Sequence, residues 1–145
     1  MTSVTMEPDQ VELIRSSFNK VKSRAPEMVQ DFYFRLFVRA PQVRQLFADD
    51  IGSQVEKLTK TLAMAVAGAD KLAQHEETLA TLGAMHAGLG VNVADYDLVI
   101  DILLETLAAT LGSDWNGDLD HVWRDMLGKI SKVMISGSAG RSKVA

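Results

Sequence analysis

The sequence predicts an all-α protein of about seven helices, and two observations lead to that prediction. Apolar residues recur three or four positions apart along most of the chain, which is the period of a helix with one buried face. No stretch alternates apolar and polar residues for long enough to indicate a strand. Proline occurs only at positions 8, 26 and 41, and each position suits the first turn of a helix.

Each predicted helix has its own apolar stripe, and turn residues separate the stripes. The first stripe, for example, is Val11, Ile14, Phe18 and Val21. The fifth is Leu79, Leu82 and His86, and the glycines at 88 and 90 end it. The predicted helices cover residues 8–24, 26–39, a short piece at 41–47, then 54–68, 73–87, 94–111 and 118–135.

Length and composition favour one domain. The chain has 145 residues, of which 47% are hydrophobic, and this length is ordinary for a single domain. We place the domain at residues 1–135 and expect the small, polar residues 136–145 to form a flexible C-terminal tail.

Cysteine and charge exclude several classes of function. The chain has no cysteine, which excludes disulfides, zinc–thiolate sites and iron–sulfur clusters. A net charge of −4 without a basic stripe argues against a nucleic-acid partner. The longest apolar run, residues 62–69, is far shorter than the roughly twenty residues of a membrane span. The N-terminus lacks the features of a signal peptide, so we expect a cytoplasmic protein.

Three histidines are the candidate metal ligands. His75 and His86 lie about 16 Å apart at helical rise, too far to share one bare metal ion. His75 and His121 lie in polar surroundings typical of solvated side chains. His86 extends an apolar stripe, so it is either a hydrogen-bonded core residue or the ligand of a large, flat cofactor.

An aromatic cluster leaves the same two alternatives open. Phe32, Tyr33, Phe37 and Phe47 recur at close spacings in the first third of the chain, and Gln54 and Leu58 follow. They form either a plain core or the apolar wall of a cofactor pocket. Composition and spacing do not choose between these.

Taken in order, these residues resemble the globins, and most closely the bacterial single-domain globins and the haem domain of flavohaemoglobins. The resemblance covers about residues 6–135. Pro41 lies six positions before Phe47, Gln54 thirty-two before His86, and Tyr96 ten after His86. The matching positions are Phe32, Tyr33, Leu36, Phe37, Pro41, Leu46, Phe47, Gln54, Leu58, Leu82, Gly83, His86, Gly90, Val91, Tyr96, Leu103, Leu104, Leu107 and Trp123.

The resemblance implies a globin fold around haem b, with His86 as the proximal ligand of the iron. Tyr33 and Gln54 would be the polar pair on the distal side, and Leu58 the apolar residue beside them. Phe47 would wedge against the haem ring. The remaining residues implied to contact haem are Leu82 and Val91 on the proximal side and Lys57 near a propionate, although Lys57 also fits a solvated surface position.

The chain departs from the flavohaemoglobin pattern in three ways. The stretch between Phe47 and Gln54 is short, so the loop before the distal helix could be displaced. A shift of four residues would put Leu58 over the iron, but the ungapped match onward to His86 favours Gln54. Residues 131–140 contain no acidic side chain, so we expect the Nδ1 proton of His86 to bond to a backbone carbonyl of its own helix, which argues against strong peroxidase chemistry.

The resemblance implies reversible binding of dioxygen, for transport, storage or scavenging, with CO and NO as further ligands. We expect binding rather than catalysis, and no catalytic residue is assigned. Two haem-based alternatives are a nitric oxide dioxygenase, which would need a separate reductase, and a gas sensor. A haem-free helical interaction domain is the fourth, but it would not need His86 opposite polar donors.

Overall fold

The structure is a computed structural model that describes residues 5–144, with side chains described as far as residue 137. Over this range it is all-α, with no strand. The six α-helices are α1 (Pro8–Val21), α2 (Ala25–Arg39), α3 (Gly52–Ala67), α4 (Glu76–Gly88), α5 (Val93–Leu111) and α6 (Gly117–Val144). Short 3-10 helices lie at Lys22–Arg24, Pro41–Leu46, Ala69–His75 and Gly112–Asp114. The prediction of an all-α fold is confirmed. Six of the seven predicted helices are α-helices, and the short third one, beginning at Pro41, is a 3-10 helix.

Local hydrogen bonds set where the helices begin. Glu7 and Gln10 cap α1 reciprocally, and Asn92 and Asp95 do the same for α5. The side chain of Asn116 accepts a hydrogen bond of 2.9 Å from the backbone N–H of Leu119 and so caps α6. Each cap satisfies N–H groups that a helix terminus would otherwise leave without partners.

The last helix is longer than predicted. We expected it to end at residue 135, but α6 continues to Val144. The side chains of residues 138–144 and the whole of Ala145 lie outside the described residues. The mobility of residues 136–145 and the domain boundary at 135 stay predictions.

The apolar stripes build one core. All four residues of the α1 stripe are buried, and so are Met28, Phe32 and Leu36 of α2. Helix α2 packs on α3 and α5, while α6 packs on α1, α4 and α5. Trp123 of α6 is the largest fully buried side chain, and α5 contributes Ile102, Leu104 and Leu107. Within the described residues, no helix is long and apolar enough to cross a membrane.

Ion pairs fasten α2 to α5 at the surface. Arg35 bonds Asp31 of its own helix and Glu105 of α5, both at 3.0 Å, and Arg39 bonds the same Glu105. These carboxylates raise the pKa of Arg35. The pairs join the surface of α2, the helix that carries Tyr33, to that of α5.

Candidate functional site

The predicted distal pair is brought together by α2 and α3. Tyr33 is 4% exposed in the middle of α2, and Gln54 lies in the first turn of α3. The Nε2 of Gln54 donates a hydrogen bond of 3.2 Å to the Tyr33 hydroxyl. Because the hydroxyl accepts this bond, its own proton is available to a further acceptor. Leu58 lies one turn after Gln54 and is half-buried.

Burial keeps Tyr33 a donor. Desolvation raises the pKa of the phenol, and the hydrogen bond from Gln54 offsets part of that rise. A buried phenolate is disfavoured because the charge would lose its hydration. Tyr33 therefore stays protonated at neutral pH.

Three aromatic rings form a triangle at this point. The centroid of Tyr33 lies 6.0 Å from Phe37 and 5.6 Å from Phe47, and Phe37 and Phe47 are 5.4 Å apart. The Tyr33 and Phe47 rings meet edge to face, an arrangement that the aromatic quadrupole favours. Phe32 packs edge to face on Tyr33 at 5.1 Å. These contacts hold the Tyr33 ring from several sides.

The short loop between Phe47 and Gln54 ends in a turn that the side chain of Asp50 closes. The Oδ1 of Asp50 accepts a hydrogen bond of 2.8 Å from the backbone N–H of Gly52, the first residue of α3. Helix α3 therefore begins two residues before Gln54, inside the segment predicted to be loop. Gln54 consequently lies in the first turn of α3 and not in the loop.

His86 lies in the last turn of α4. Its Nδ1 is 2.7 Å from the carbonyl oxygen of Leu82, one turn earlier. A carbonyl can only accept, so Nδ1 carries the proton and Nε2 keeps its lone pair. The bond to a carbonyl of its own helix, predicted from the missing carboxylate, is confirmed.

A glycine turn closes α4 directly after His86. Gly90 has a φ of +93°, in the left-handed region that favours glycine. The backbone N–H groups of Leu89 and Val91 both donate to the carbonyl of His86, at 3.0 and 3.1 Å. This turn brings Val91 back to the end of α4, beside the histidine.

Two glycines allow α4 to pack closely against α6. The sequence patterns did not predict this contact. A Cβ atom at Gly83 would overlap the backbone of Met134 in α6, and one at Gly137 would overlap the backbone of Ala80 in α4. The two helices therefore meet backbone to backbone, one turn before His86. A glycine inside a helical pattern was the only signal in the sequence for this contact.

The apolar residues predicted to contact a cofactor are all partly exposed. Phe47, Leu58, Leu82 and Val91 are all half-buried, and so is His86, whereas the stripes of α1 and α2 are fully buried. Lys57 is exposed. Half-buried apolar side chains next to a complete core fit a surface that a flat apolar group would cover.

Tyr96, in the first turns of α5, carries a buried hydroxyl. Among the described side chains this oxygen has no hydrogen-bond partner, and desolvation raises the pKa of the phenol. A buried polar atom without a partner is uncommon in a folded protein. The donor chemistry of His86, Tyr33 and Gln54, one imidazole with a neutral partner on Nδ1 and two hydrogen-bonding side chains among aromatic rings, fits a haem group.

The other histidines are not brought to this site. His75 and His121 are exposed, as predicted. The described residues contain no group of three or more His, Cys, Asp or Glu side chains that could hold a metal ion.

Comparison with known proteins identifies the class. The globin family model matches residues 30–134. This is more than half of the chain, so the chain belongs to the globin family. Membership of this family implies a haem cofactor and the binding of diatomic gases.

The curated relatives include plant proteins. A leghemoglobin of Canavalia lineata is 30% identical over 144 residues, covering 90% of this chain and 95% of the relative. An anaerobic nitrite reductase of Oryza sativa subsp. indica is 25% identical over 122 residues, covering 80% of this chain and 84% of the relative.

Three solved structures share the fold. A bacterial globin from Campylobacter jejuni has a TM-score of 0.82 at 20% identity, covering 94% of this chain and 99% of its own. An engineered carbene transferase, described as a putative nitric oxide dioxygenase from Rhodothermus marinus, has a TM-score of 0.85 at 22% identity, covering 97% and 98%. A flavohemoglobin from Malassezia yamatoensis, solved with FAD and heme, has a TM-score of 0.79 at 19% identity, covering 94% of this chain and 37% of its own. The structural neighbours are thus bacterial globins and a flavohaemoglobin.

Proposed function

We propose that this chain is a cytoplasmic haem b protein that binds dioxygen reversibly. The observation that carries the proposal is the hydrogen bond from Gln54 to Tyr33. It pairs two polar side chains next to a triangle of aromatic rings and leaves the phenolic proton for another acceptor.

The residues that would hold haem divide into a distal and a proximal set. His86 would ligate the iron through Nε2, since Nδ1 already bonds the Leu82 carbonyl. Phe47 and Leu58 would line the distal side, Leu82 and Val91 the proximal side, and Lys57 would reach a propionate. When bound, haem supplies an iron atom that coordinates diatomic gases.

The partner of His86 favours binding over peroxidase chemistry. A backbone carbonyl is neutral, so it draws the Nδ1 proton less strongly than a carboxylate would. The imidazole therefore stays less anionic and donates less electron density through Nε2.

The distal pair gives selectivity between gases. With haem bound, Tyr33 would donate a hydrogen bond to dioxygen that carries partial negative charge, and such a charge-assisted bond contributes about 1.5–3 kcal/mol. Carbon monoxide accepts less charge and gains less from the same donor. Gln54 orients the phenol through its own hydrogen bond.

Nitric oxide dioxygenation is the second candidate function, favoured by the same donor pair. The Rhodothermus marinus neighbour is described as a putative nitric oxide dioxygenase. Sustained turnover by this chain would draw electrons from a separate reductase. We rank it below reversible binding, and a sensing role below both.

The first experiment is the visible spectrum of the purified protein in ferric, dithionite-reduced and CO-bound forms, before and after adding hemin. We expect a Soret band that shifts sharply with CO. His86→Ala should abolish the normal CO spectrum and regain it with added imidazole, while His75→Ala serves as the matched control and should resemble the wild type. A wild-type protein without a Soret band after hemin is added would overturn the proposed function.

A further inference from the structure

Arg44 holds the start of the loop that follows the 3-10 helix Pro41–Leu46. One guanidinium nitrogen donates to the carbonyls of Phe47 and Ala48, at 3.3 and 2.9 Å. The other terminal nitrogen donates to the carbonyl of Asp49 at 2.7 Å. A single side chain therefore binds three successive carbonyls.

This arrangement needs an arginine. The three carbonyls follow the end of a short helix, and their oxygens converge on one point. A guanidinium group offers five N–H donors in a rigid plane, so it can bond several oxygens at once and keep its face free. A lysine ammonium has three donors on a point charge and no planar face.

The guanidinium also packs on an aromatic ring. Its central carbon lies 4.9 Å from the centroid of the Phe37 ring, within the range of a cation–π contact. Phe37 belongs to the ring triangle with Tyr33 and Phe47. Arg44 thus bonds to the backbone carbonyl of Phe47 and packs on the ring face of Phe37, and so contacts two of the three residues of the triangle.

We propose that Arg44 is a positioning residue that fixes Phe47 and Tyr33 and so lengthens the residence time of a bound gas. The inference rests on the proposed function, because the gas would bind beside these two rings. Without Arg44, three carbonyls lose their shared donor and Phe37 loses the cation on its face. The Phe47 ring then shifts, and Tyr33 loses a fixed neighbour at 5.6 Å.

The test compares Arg44→Gln with a matched control, Arg15→Gln. Arg15 also donates to two backbone carbonyls, those of Val66 at 3.3 Å and Ala67 at 2.6 Å, which lie in the last turn of α3 at the opposite end from Gln54. It also pairs with Asp70 at 2.9 Å. Both variants should lower Tm. Only Arg44→Gln should raise the dioxygen off-rate, by about five- to tenfold for a distal hydrogen bond weakened rather than lost. It should also broaden the C–O stretching band of the CO form.

A conservative variant keeps the test decisive if Arg44→Gln folds poorly. Arg44→Lys keeps the charge but reaches fewer carbonyls, so its off-rate should lie between those of the wild type and Arg44→Gln. An off-rate and a C–O band equal to the wild type in both variants would overturn the role of Arg44.

Fluorine NMR separates this outcome from a failure of the proposed function. Full-length protein labelled with 4-fluorophenylalanine gives five resonances, one for each phenylalanine. Arg44→Gln should move those of Phe37 and Phe47 and leave buried Phe18 and exposed Phe34 in place. These shifts are measurable whether or not the wild type takes up hemin. Unmoved Phe37 and Phe47 resonances would contradict the positioning role directly. A missing Soret band in the wild type would overturn the proposed function, and with it the effect of Arg44 on gas residence, but not the positioning of the two rings.

Discussion

The side-chain amide of Gln54 donates its hydrogen bond to the Tyr33 hydroxyl across 3.2 Å, although 21 positions separate the two residues in the chain. The bond joins the buried middle of α2 to the first turn of α3. It uses one lone pair of the phenol oxygen and leaves the phenolic proton free to point elsewhere. The orientation of Tyr33 therefore depends on where α3 begins, and the hydrogen bond from the Gly52 N–H to Asp50 stabilises the turn that leads into that helix.

Replacing Tyr33 with phenylalanine should separate the two gases. The variant keeps the ring, and with it the edge-to-face packing on Phe47, but removes the donor. The dioxygen off-rate should rise about ten- to a hundredfold, the equivalent of 1.5–3 kcal/mol, and the CO off-rate far less. Stopped-flow ligand replacement measures both rates. Equal effects on dioxygen and CO would show that Tyr33 does not donate to the bound gas.

The two tyrosines of the chain should both ionise late. Burial raises the pKa of Tyr33 and of Tyr96 above the ordinary value near 10. Ultraviolet absorption during an alkaline titration measures the two ionisations, and the Tyr33→Phe and Tyr96→Phe variants assign them. A tyrosine of the folded protein that ionises at or below pH 10 would contradict the burial of that hydroxyl.

The same two shifts predict how stability changes with pH. A raised pKa means that the folded chain binds the phenolic proton more tightly than the unfolded chain does. The stabilising contribution is therefore complete below about pH 10 and is lost as pH rises through the folded pKa. Urea unfolding between pH 9 and 11 should show a steeper fall in unfolding free energy for the wild type than for Tyr33→Phe. Parallel curves would exclude a contribution from Tyr33.

Periodicity predicted the helices well where the buried face is complete. The stripe of Val11, Ile14, Phe18 and Val21 predicted α1, and all four residues are buried. It predicted boundaries less well, because side-chain caps decide them. Helix α3 begins at Gly52, inside the segment predicted to be loop, and the hydrogen bond from the Gly52 N–H to Asp50 just before it is a contact that periodicity does not reveal.

The site was predictable only in part. The pairing of Tyr33 with Gln54 and the role of His86 came from the resemblance to globins, since no local pattern joins residues 21 or more positions apart. Arg44 was not predicted, because its three carbonyl partners converge only after the chain folds. Gly83 was one of the positions that match the globins, but its backbone contact with α6 depends on tertiary packing.

Replacing Gly83 with alanine should displace the helix that carries His86. A Cβ at this position would overlap the backbone of Met134, which cannot turn aside as a flexible side chain could. We expect a loss of about 1–3 kcal/mol or more in unfolding free energy and weaker hemin binding.

Gly128→Ala is the matched control for Gly83→Ala. Gly128 also lies inside a helix, α6, but a Cβ atom at this position would meet no atom within 4 Å. Gly128→Ala should raise stability by about 0.5–1 kcal/mol. Urea unfolding and hemin titration measure both effects, and a Gly83→Ala variant as stable as the wild type would contradict the close approach.

Removing the hydroxyl of Ser17 should destabilise the junction of α1 and α6. The indole N–H of Trp123 donates to the Ser17 oxygen at 2.9 Å, and both side chains are buried. The same hydroxyl donates back to the carbonyls of Leu13 and Ile14, at 2.8 and 3.0 Å. Ser17→Ala would leave the indole N–H buried without an acceptor, which costs about 1–3 kcal/mol.

Ser16→Ala is the matched control for Ser17→Ala. The Ser16 hydroxyl is exposed, and among the described contacts it bonds only to the carbonyl of Leu13 in its own helix. Chemical unfolding of both variants should show a loss for Ser17→Ala several times that for Ser16→Ala, and equal losses would mean that the Trp123 contact adds nothing to stability.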